Sequence, residues 1–364
     1  MKKRVLAMLL AASCTFAMVS GCATPSGTLG GNDDPAPANS ASAGGETSGG
    51  EMQPRVLTLA SQSVDSTAYA RCSALASVMN NYLPDGWSVE VSPVSTGGAA
   101  GTLLVESGQT DMGEGINISN KLLAEGEYDA QYPPLENCYA LLGGTDYAYF
   151  LIMFTSEFQE RTGFTTLEEL VASNEPYRLV TKAAGAAGEL GCRQLLEVLG
   201  TNYDDIKADG GDVINVAPAE MVDLLKENRA DVLVDVVGLG QASMSELTMT
   251  TTMFFPQLEQ SSLDGLAEYG YVIQDMPAGS WGGQDVDITT GTNSANIVIS
   301  KDIPDDVAYA MAKAVCEHKD ELVAQVPVME MYDVEYSGET SRNNLEIHPG
   351  AAKYYNEVGY ICGN

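Results

Sequence analysis

Four short loops rich in glycine and hydroxyl residues are the best candidates for holding a small ligand. They span residues 61–67, 96–101, 182–188 and 238–241, and each follows a predicted strand and leads into a predicted helix. In open α/β sheets, ligands bind outside the carboxyl ends of the strands. A helix that starts there offers unpaired amides and the positive end of its dipole. The pattern predicts a ligand site made of these loops, and the alternative is that they are only tight strand-to-helix turns.

The side chains near these loops suggest how a ligand would be held. Lys182 ends a predicted strand and Arg71 lies in the first turns of a helix, so either cation could pair with a ligand carboxylate. Each could instead neutralise one of the protein's many acids. Tyr69 and Trp281 could cover an apolar part of a ligand, or belong to the core. The other candidate contacts are Ser66, Thr67, Thr96, Gly97, Gly98, Gly185, Gly188 and Gly238.

The sequence lacks the motifs of common catalytic and cofactor sites. It contains no GxSxG, HExxH, GxxxxGK or GxGxxG. Its two histidines, His318 and His348, have no candidate nucleophile near them in the sequence. We therefore expect a binding protein with no catalytic residue, no metal and no cofactor, and keep a secreted enzyme as an alternative.

The first residues are typical of a bacterial lipoprotein signal. Three basic residues at positions 2–4 precede an apolar run over 5–19 that is too short to span a membrane in the mature protein. The sequence VSGC, which ends at Cys22, matches a site of cleavage and lipidation; an ordinary signal peptide is the alternative. We expect residues 1–21 to be removed and Cys22 to carry a lipid that anchors the protein outside the cytoplasm.

Composition separates a tether from a folded region. Residues 22–54 are almost entirely Gly, Ser, Ala, Pro, Thr and acids, without an aromatic residue, which predicts a disordered tether. Loss of the three basic residues with the leader would change the formal charge from −32 to −35. Such a surface repels nucleic acid and anionic headgroups, so we expect no nucleic-acid partner and membrane contact through the lipid only. We also expect a monomer.

Five cysteines remain once Cys14 of the leader and the lipidation site are set aside. Their spacing includes no CxxC pair and no metal-ligand pattern. We expect most of them to be small buried hydrophobic residues, with a disulfide that involves Cys362 as the alternative.

The folded region alternates apolar strands with amphipathic helices, which predicts an α/β fold of parallel sheets covered by helices. Thr166 and Glu169 form a capping box at one helix start. Pro304 opens a long helix with a buried stripe that includes Val307 and Met311. An apolar stretch over 139–154 is expected to cross between two lobes, and the chain should return near 294–299. We assign lobe 1 to residues 55–146 and 286–364, and lobe 2 to residues 147–285.

Several segments, in the same order, resemble one family. PAGSWGGQD at 277–285, followed by Asp287, resembles the PAGxYxGQDxD segment of the TAXI family of TRAP transporter solute receptors. The other matching segments are STAY (66–69), TGG (96–98), LVESG (104–108), DMG (111–113), LLEVLG (195–200), IPDDV (303–307) and HPGAAKYY (348–355). The resemblance covers almost everything from 56 to 359.

This resemblance implies a type II periplasmic-binding-protein fold, in which two α/β lobes joined by a hinge close on a ligand. It implies a receptor that delivers an organic acid or amino acid, such as glutamate, a dicarboxylate or a keto acid, to the membrane subunits of a TRAP permease. A surface-anchored sensory or protein-interaction module with the same fold is the alternative.

The sequence departs from the family pattern at the candidate site. The segment 185–188 reads GAAG where the family has GSGT, and 61–65 lacks the family's glycines. Asn117 is a further candidate contact, in a segment where the family commonly has a Gln-Ser pair. Asp65 and Glu114 near the cleft could repel a carboxylate or meet the amino group of an amino acid.

Overall fold

The computed structural model describes residues 55–95, 97–128, 131–184 and 186–363. The predicted leader, Cys22 and the tether lie outside the described residues, as do the candidate contacts Thr96 and Gly185. Among the helices of the described ranges, none has both the length and the apolarity that a membrane span requires.

The first part of the described chain alternates strands and helices until it reaches a long strand. Its elements are β1 (Arg55–Ala60), α1 (Thr67–Tyr82), β2 (Trp87–Ser92), α2 (Ala100–Glu106), β3 (Met112–Ile116), α3 (Asn117–Glu125) and β4 (Cys138–Thr155). The long strand predicted over 139–154 is confirmed as β4. Ser66 caps α1, where its hydroxyl accepts a hydrogen bond from the Tyr69 amide.

The second part repeats the pattern and returns through another long strand. Its elements are α4 (Ser156–Thr162), α5 (Leu167–Ser173), β5 (Arg178–Lys182), α6 (Ala187–Val198), α7 (Tyr203–Ala208), β6 (Asp212–Val216), α8 (Pro218–Lys226), β7 (Val232–Gly238), α9 (Ala242–Thr250), β8 (Met253–Phe254), α10 (Gln260–Glu268), β9 (Val272–Met276), β10 (Ile288–Ser300), α11 (Asp305–Glu317), α12 (Lys319–Gln325), α13 (Thr340–Asn343) and α14 (Pro349–Val358). The capping box of Thr166 and Glu169 is confirmed at α5. Pro304 is the N-cap of α11, whose predicted stripe is buried.

All ten strands of the described residues belong to one sheet. The order is β2-β1-β3-β10-β4-β7-β5-β6, with β8 paired to β4 and β9 paired to β10. The pairs β1–β2, β1–β3, β5–β6 and β5–β7 are parallel, as the alternation of strands and helices predicts. The long strands β4 and β10 are antiparallel to their neighbours, so the sheet is mixed. The expected parallel pairing therefore holds on both sides of β4 and β10 but not for these two long strands, which run antiparallel to each other and to their other neighbours.

Separate cores form around the two ends of the sheet. Leu57, Leu75 and Met311 belong to a core at the β1 end, together with Ile297 and Ile299 of β10. Along β4, alternate residues enter two other cores on opposite faces of the sheet, as the period of a strand requires. The start of β10 enters the last of these cores through Ile288. The α/β fold is therefore confirmed. One part of the protein contains the core at the β1 end, the other part contains the two cores around β4 and β7, and the long strands β4 and β10 connect the two parts.

The five cysteines of the described residues are free. Four of them are buried and Cys362 is half-buried. The expectation of small buried thiols is confirmed for those four, and the alternative disulfide at Cys362 does not form in the structure.

Candidate functional site

A cavity of about 290 Å³ lies beside the middle of the neighbouring strands β4 and β10, between the two parts of the protein. Its walls come from the loop after β1, the start of α1, β3, the middle of β4 and β10, and the end of β7. The lining residues are Gln62, Thr67, Ala68, Arg71, Gly98, Glu114, Gly115, Ile116, Asp146, Tyr147, Ala148, Gly238, Asn293 and Ala295. This volume is close to the lower end for ligand sites, so the cavity suits a small solute.

A buried cluster of one cation and two carboxylates forms the polar centre of this cavity. Arg71 on α1 donates through Nη1 to Asp146 Oδ2 at 2.7 Å, and through Nη2 to Glu114 Oε1. The side chains of Arg71 and Glu114 are 5% and 7% exposed, whereas that of Asp146 is 35% exposed. Burial by itself lowers the pKa of Arg71, but the two carboxylates outweigh it and leave this pKa raised. The guanidinium therefore stays charged, and the cluster has a formal charge of −1.

Close packing of α2 on β3 positions Glu114. A Cβ atom at Gly101 would overlap the carbonyl oxygen of Glu114, and one at Gly113 would overlap the carbonyl of Gly101. The helix can therefore approach the strand only because both positions are glycine. The Glu114 carboxylate also has a second side-chain partner besides Arg71, since Gln62 Nε2 donates to its Oε2 atom at 3.4 Å.

An irregularity in β4 positions Asp146. The register with β10 shifts so that Ala295 pairs with Asp146 while Asn296 pairs with Gly143. Gly144, between them, has a φ of 76°, which favours glycine. Such a bulge re-aims the side chains next to it. It presents Asp146 and Tyr147 to the cavity.

Arg342 of α13, which does not line the cavity, holds the Tyr147 side chain in place. Arg342 Nη1 donates to the Tyr147 hydroxyl, and the guanidinium also stacks 4.4 Å from the ring centre of Tyr336. Burial raises the pKa of Tyr147, so this phenol stays neutral. Asp146, Tyr147 and Arg342 were not among the contacts predicted from sequence. The glycines at 143 and 144, which interrupt the apolar stretch over 139–154, were the available signal for the bulge, whereas no local motif marks Arg342.

Some predicted contacts lie at this cavity. Thr67, Gly98 and Gly238 line it. Ser66 is the N-cap of α1 and Tyr69 lies in its first turn, on either side of the lining residues Thr67 and Ala68 in the sequence. Tyr69 is half-buried. Gly97 has a φ of 87° and packs close to the Gln62 side chain. Their contact with a ligand stays a prediction.

The structure places Lys182 and Gly188 in a different cluster. Lys182 Nζ lies 3.1 Å from Asp235 Oδ1 and donates to the Val236 carbonyl at 3.0 Å. Asp235 is fully buried, and Gly188 packs so closely on its carboxylate that a Cβ atom would overlap it. Burial raises the pKa of Asp235, while Lys182 lowers it. Lys182 is thus engaged by an internal acid and does not line the cavity, and its contact with a ligand stays a prediction.

Trp281 and Asn117 are buried and make contacts inside the protein. Trp281 is 3% exposed in one of the cores, and its ring N–H donates to Met276 Sδ at 3.1 Å. Asn117 accepts from the Ser294 amide at 2.8 Å and donates to the carbonyls of Gly270 and Ser341. Neither lines the cavity, because packing and backbone hydrogen bonds hold both side chains elsewhere.

Wider depressions occur elsewhere on the described surface. One of about 670 Å³ lies beside Arg193 and Tyr203, but it is lined only by residues of α6, α7 and the turn between them. Among the described residues, no group of three or more His, Cys, Asp or Glu side chains could hold a metal ion. The cavity beside β4 and β10 is the better candidate for the ligand site, because both parts of the protein line it and charged groups are buried in its wall.

The chain has distant structural similarity to proteins of known structure. A TctC solute binding protein from Polaromonas has 13% identity, with 84% of this chain and 98% of that chain covered and a TM-score of 0.47. The periplasmic aliphatic sulphonate binding protein SsuA from Escherichia coli has 11% identity, with coverages of 84% and 79% and a TM-score of 0.42. The periplasmic binding protein BugD has 15% identity, with coverages of 85% and 95% and a TM-score of 0.39. In sequence, the model of the NMT1-like family matches residues 59–359, and the chain belongs to that family.

Proposed function

We propose that this protein is an extracytoplasmic receptor that binds one small solute between two lobes and delivers it to a membrane permease. The observation that carries the proposal is the cavity beside the long strands β4 and β10. Residues of predicted lobe 1, such as Thr67 and Glu114, face it together with Ala148 and Gly238 of predicted lobe 2. A receptor of this kind needs a site that both lobes share.

Movement of the lobes would control access to the solute. Among the described strands, β4 and β10 are the two that contribute to the core at the β1 end and also to another core, and the cavity lies beside their middle. Bending of these strands would bring Gly238 towards the start of α1 and exclude water from the solute. Release requires the reverse motion, so we expect moderate affinity.

The permease partner follows from the resemblance to the TAXI family. We propose TRAP-type membrane subunits as the partner, with the lipid at Cys22 holding the receptor near them. Uptake of the bound solute should then stop when the ion gradient is collapsed and continue in the presence of vanadate. Uptake that vanadate blocks would instead indicate an ATP-driven permease and refute the TRAP assignment.

A blocking substitution at Gly238 tests the receptor itself. A Cβ atom at Gly238 would meet nothing within 4 Å, and Gly238 lines the cavity, so Gly238→Trp should fill the cavity without disturbing the fold. We expect a panel of organic acids and amino acids to include a compound that raises the melting temperature of the wild type. Gly238→Ala should keep this shift and Gly238→Trp should lose it, while both unliganded variants melt close to the wild type. If no compound raises the melting temperature of the wild type, the proposal is wrong.

A further inference from the structure

We infer that the solute carries a protonated amine, as an amino acid does, and that Asp146 binds this group. The inference rests on the proposed function, since it assigns the ligand class of the same cavity. It depends on how the charges of the cavity are already used inside the protein.

The cation of the cavity is buried, and two carboxylates already compensate its charge. Among the described residues that line the cavity, the charged ones are Arg71, Glu114 and Asp146. Both terminal nitrogens of Arg71 already donate to these carboxylates, and Glu114 is nearly inaccessible. In the loops predicted from sequence, the next cation is Lys182, and Asp235 neutralises it.

Asp146 is the group that remains open to a ligand. Its side chain is 35% exposed, and Arg71 uses only its Oδ2 atom. Its Oδ1 atom has no hydrogen-bond partner among the described residues, and the side chain lines the cavity. An exposed carboxylate oxygen beside a neutralised cation is an acceptor for a charged donor.

The sum of these charges discriminates between ligand classes. A dicarboxylate or a sulfonate would add negative charge to a cavity that already has a formal charge of −1. A protonated amine would compensate that charge and form a charge-assisted hydrogen bond with Asp146. The carboxylate of an amino acid could meanwhile meet the first amides of α1, at Thr67 and Ala68, which line the same cavity.

Paired ligands test this inference by calorimetry. Each amino acid is compared with the acid that lacks only its amino group, such as glutamate with glutarate and alanine with propionate. The wild type should bind one amino acid at least tenfold more tightly than its deaminated counterpart, the usual effect of a hydrogen bond to a charged group. Asp146→Asn should lose at least tenfold in affinity for the amino acid and much of the discrimination. Asp302→Asn, an exposed carboxylate between β10 and α11, is the matched control and should bind as the wild type does.

The outcomes separate this inference from the proposed function. Equal or tighter binding of the deaminated acid by the wild type would overturn the amine inference and leave the receptor function standing. The same holds if Asp146→Asn folds and keeps the full preference. If that variant does not fold, the comparison of paired ligands on the wild type decides alone. Absence of binding by any compound would refute the receptor function and the inference with it.

Discussion

Removal of Lys182 should destabilise the protein by leaving a buried carboxylate without its cation. Asp235 is fully buried, and its Oδ2 atom has no hydrogen-bond partner among the described residues. Breaking a buried ion pair from one side costs about 3 to 5 kcal/mol. The Lys182 side chain is 20% exposed, so the lower figure applies. For Lys182→Ala we expect a loss of about 3 kcal/mol and a fall in melting temperature of roughly 5 to 10 °C.

The pH dependence of this loss follows from the pKa of Asp235. Burial raises this pKa above the usual value of an aspartic acid, and Lys182 opposes the rise. A carboxyl whose pKa is higher in the folded state binds more protons there, so it contributes stability at low pH that is lost as the pH rises through the folded pKa. Without Lys182 this pKa rises further. Lys182→Ala should therefore lose more stability at pH 8 than at pH 5.

Chemical denaturation at both pH values, with a double-mutant cycle, measures this effect. In an Asp235→Asn background, Lys182→Ala should cost much less than it does alone. Lys226→Ala is the matched control, because its partner Glu246 is 64% exposed and such a surface pair contributes about 1 kcal/mol or less. An unchanged melting temperature for Lys182→Ala, together with a solute affinity reduced more than tenfold, would refute this reasoning and favour the direct ligand contact predicted from sequence.

Three further predictions concern the elements that hold the site. Asn117→Ala should cost about 2 to 4 kcal/mol in urea unfolding, because it removes the partner of the Ser294 amide and of the Ser341 carbonyl, while Asn344 still donates to Gly270; an effect below 1 kcal/mol would contradict this. Gly101→Ala should destabilise the fold by about 2 kcal/mol or more and weaken solute binding, since the new methyl group overlaps the backbone of Glu114; a variant that melts as the wild type does would show that α2 can move away. A thiol reagent at pH 8 should label Cys362 first in the chain that lacks residues 1–22, because burial raises the pKa of the other four thiols to about 12; fast labelling of four or five thiols in native protein would contradict their burial.

The fold could be predicted further than the site because the fold depends on local patterns. The alternation of strands and helices, the capping box at Thr166 and the buried stripe of α11 are each readable within about fifteen residues. The direction of β4 and β10 relative to their neighbours is a property of the tertiary structure. No local pattern distinguishes a parallel neighbour from an antiparallel one when a strand is apolar on both faces.

The site could be predicted only in part, because its charged members come from distant segments. Thr67, Gly98 and Gly238 follow from loops at strand ends, and all three line the cavity. Asp146 reaches it through a bulge inside a long strand, and Arg342 fixes Tyr147 from a position 195 residues further along the chain. The glycines at 143 and 144 are a local signal for the bulge, but they do not show where the carboxylate points, and Arg342 has no local signal at all.

The excess of acids explains why both candidate cations, Arg71 and Lys182, pair with carboxylates inside this protein. The chain has 18 Lys and Arg residues against 50 Asp and Glu residues, so a cation that becomes buried has many carboxylates with which it can pair. Arg71 and Lys182 both pair in this way, one with Glu114 and Asp146, the other with Asp235. Once each cation is paired, the most exposed charged side chain among the described residues that line the cavity is the carboxylate of Asp146. The same excess that repels anions from the surface therefore acts inside the site, and it favours a ligand that carries a positive charge.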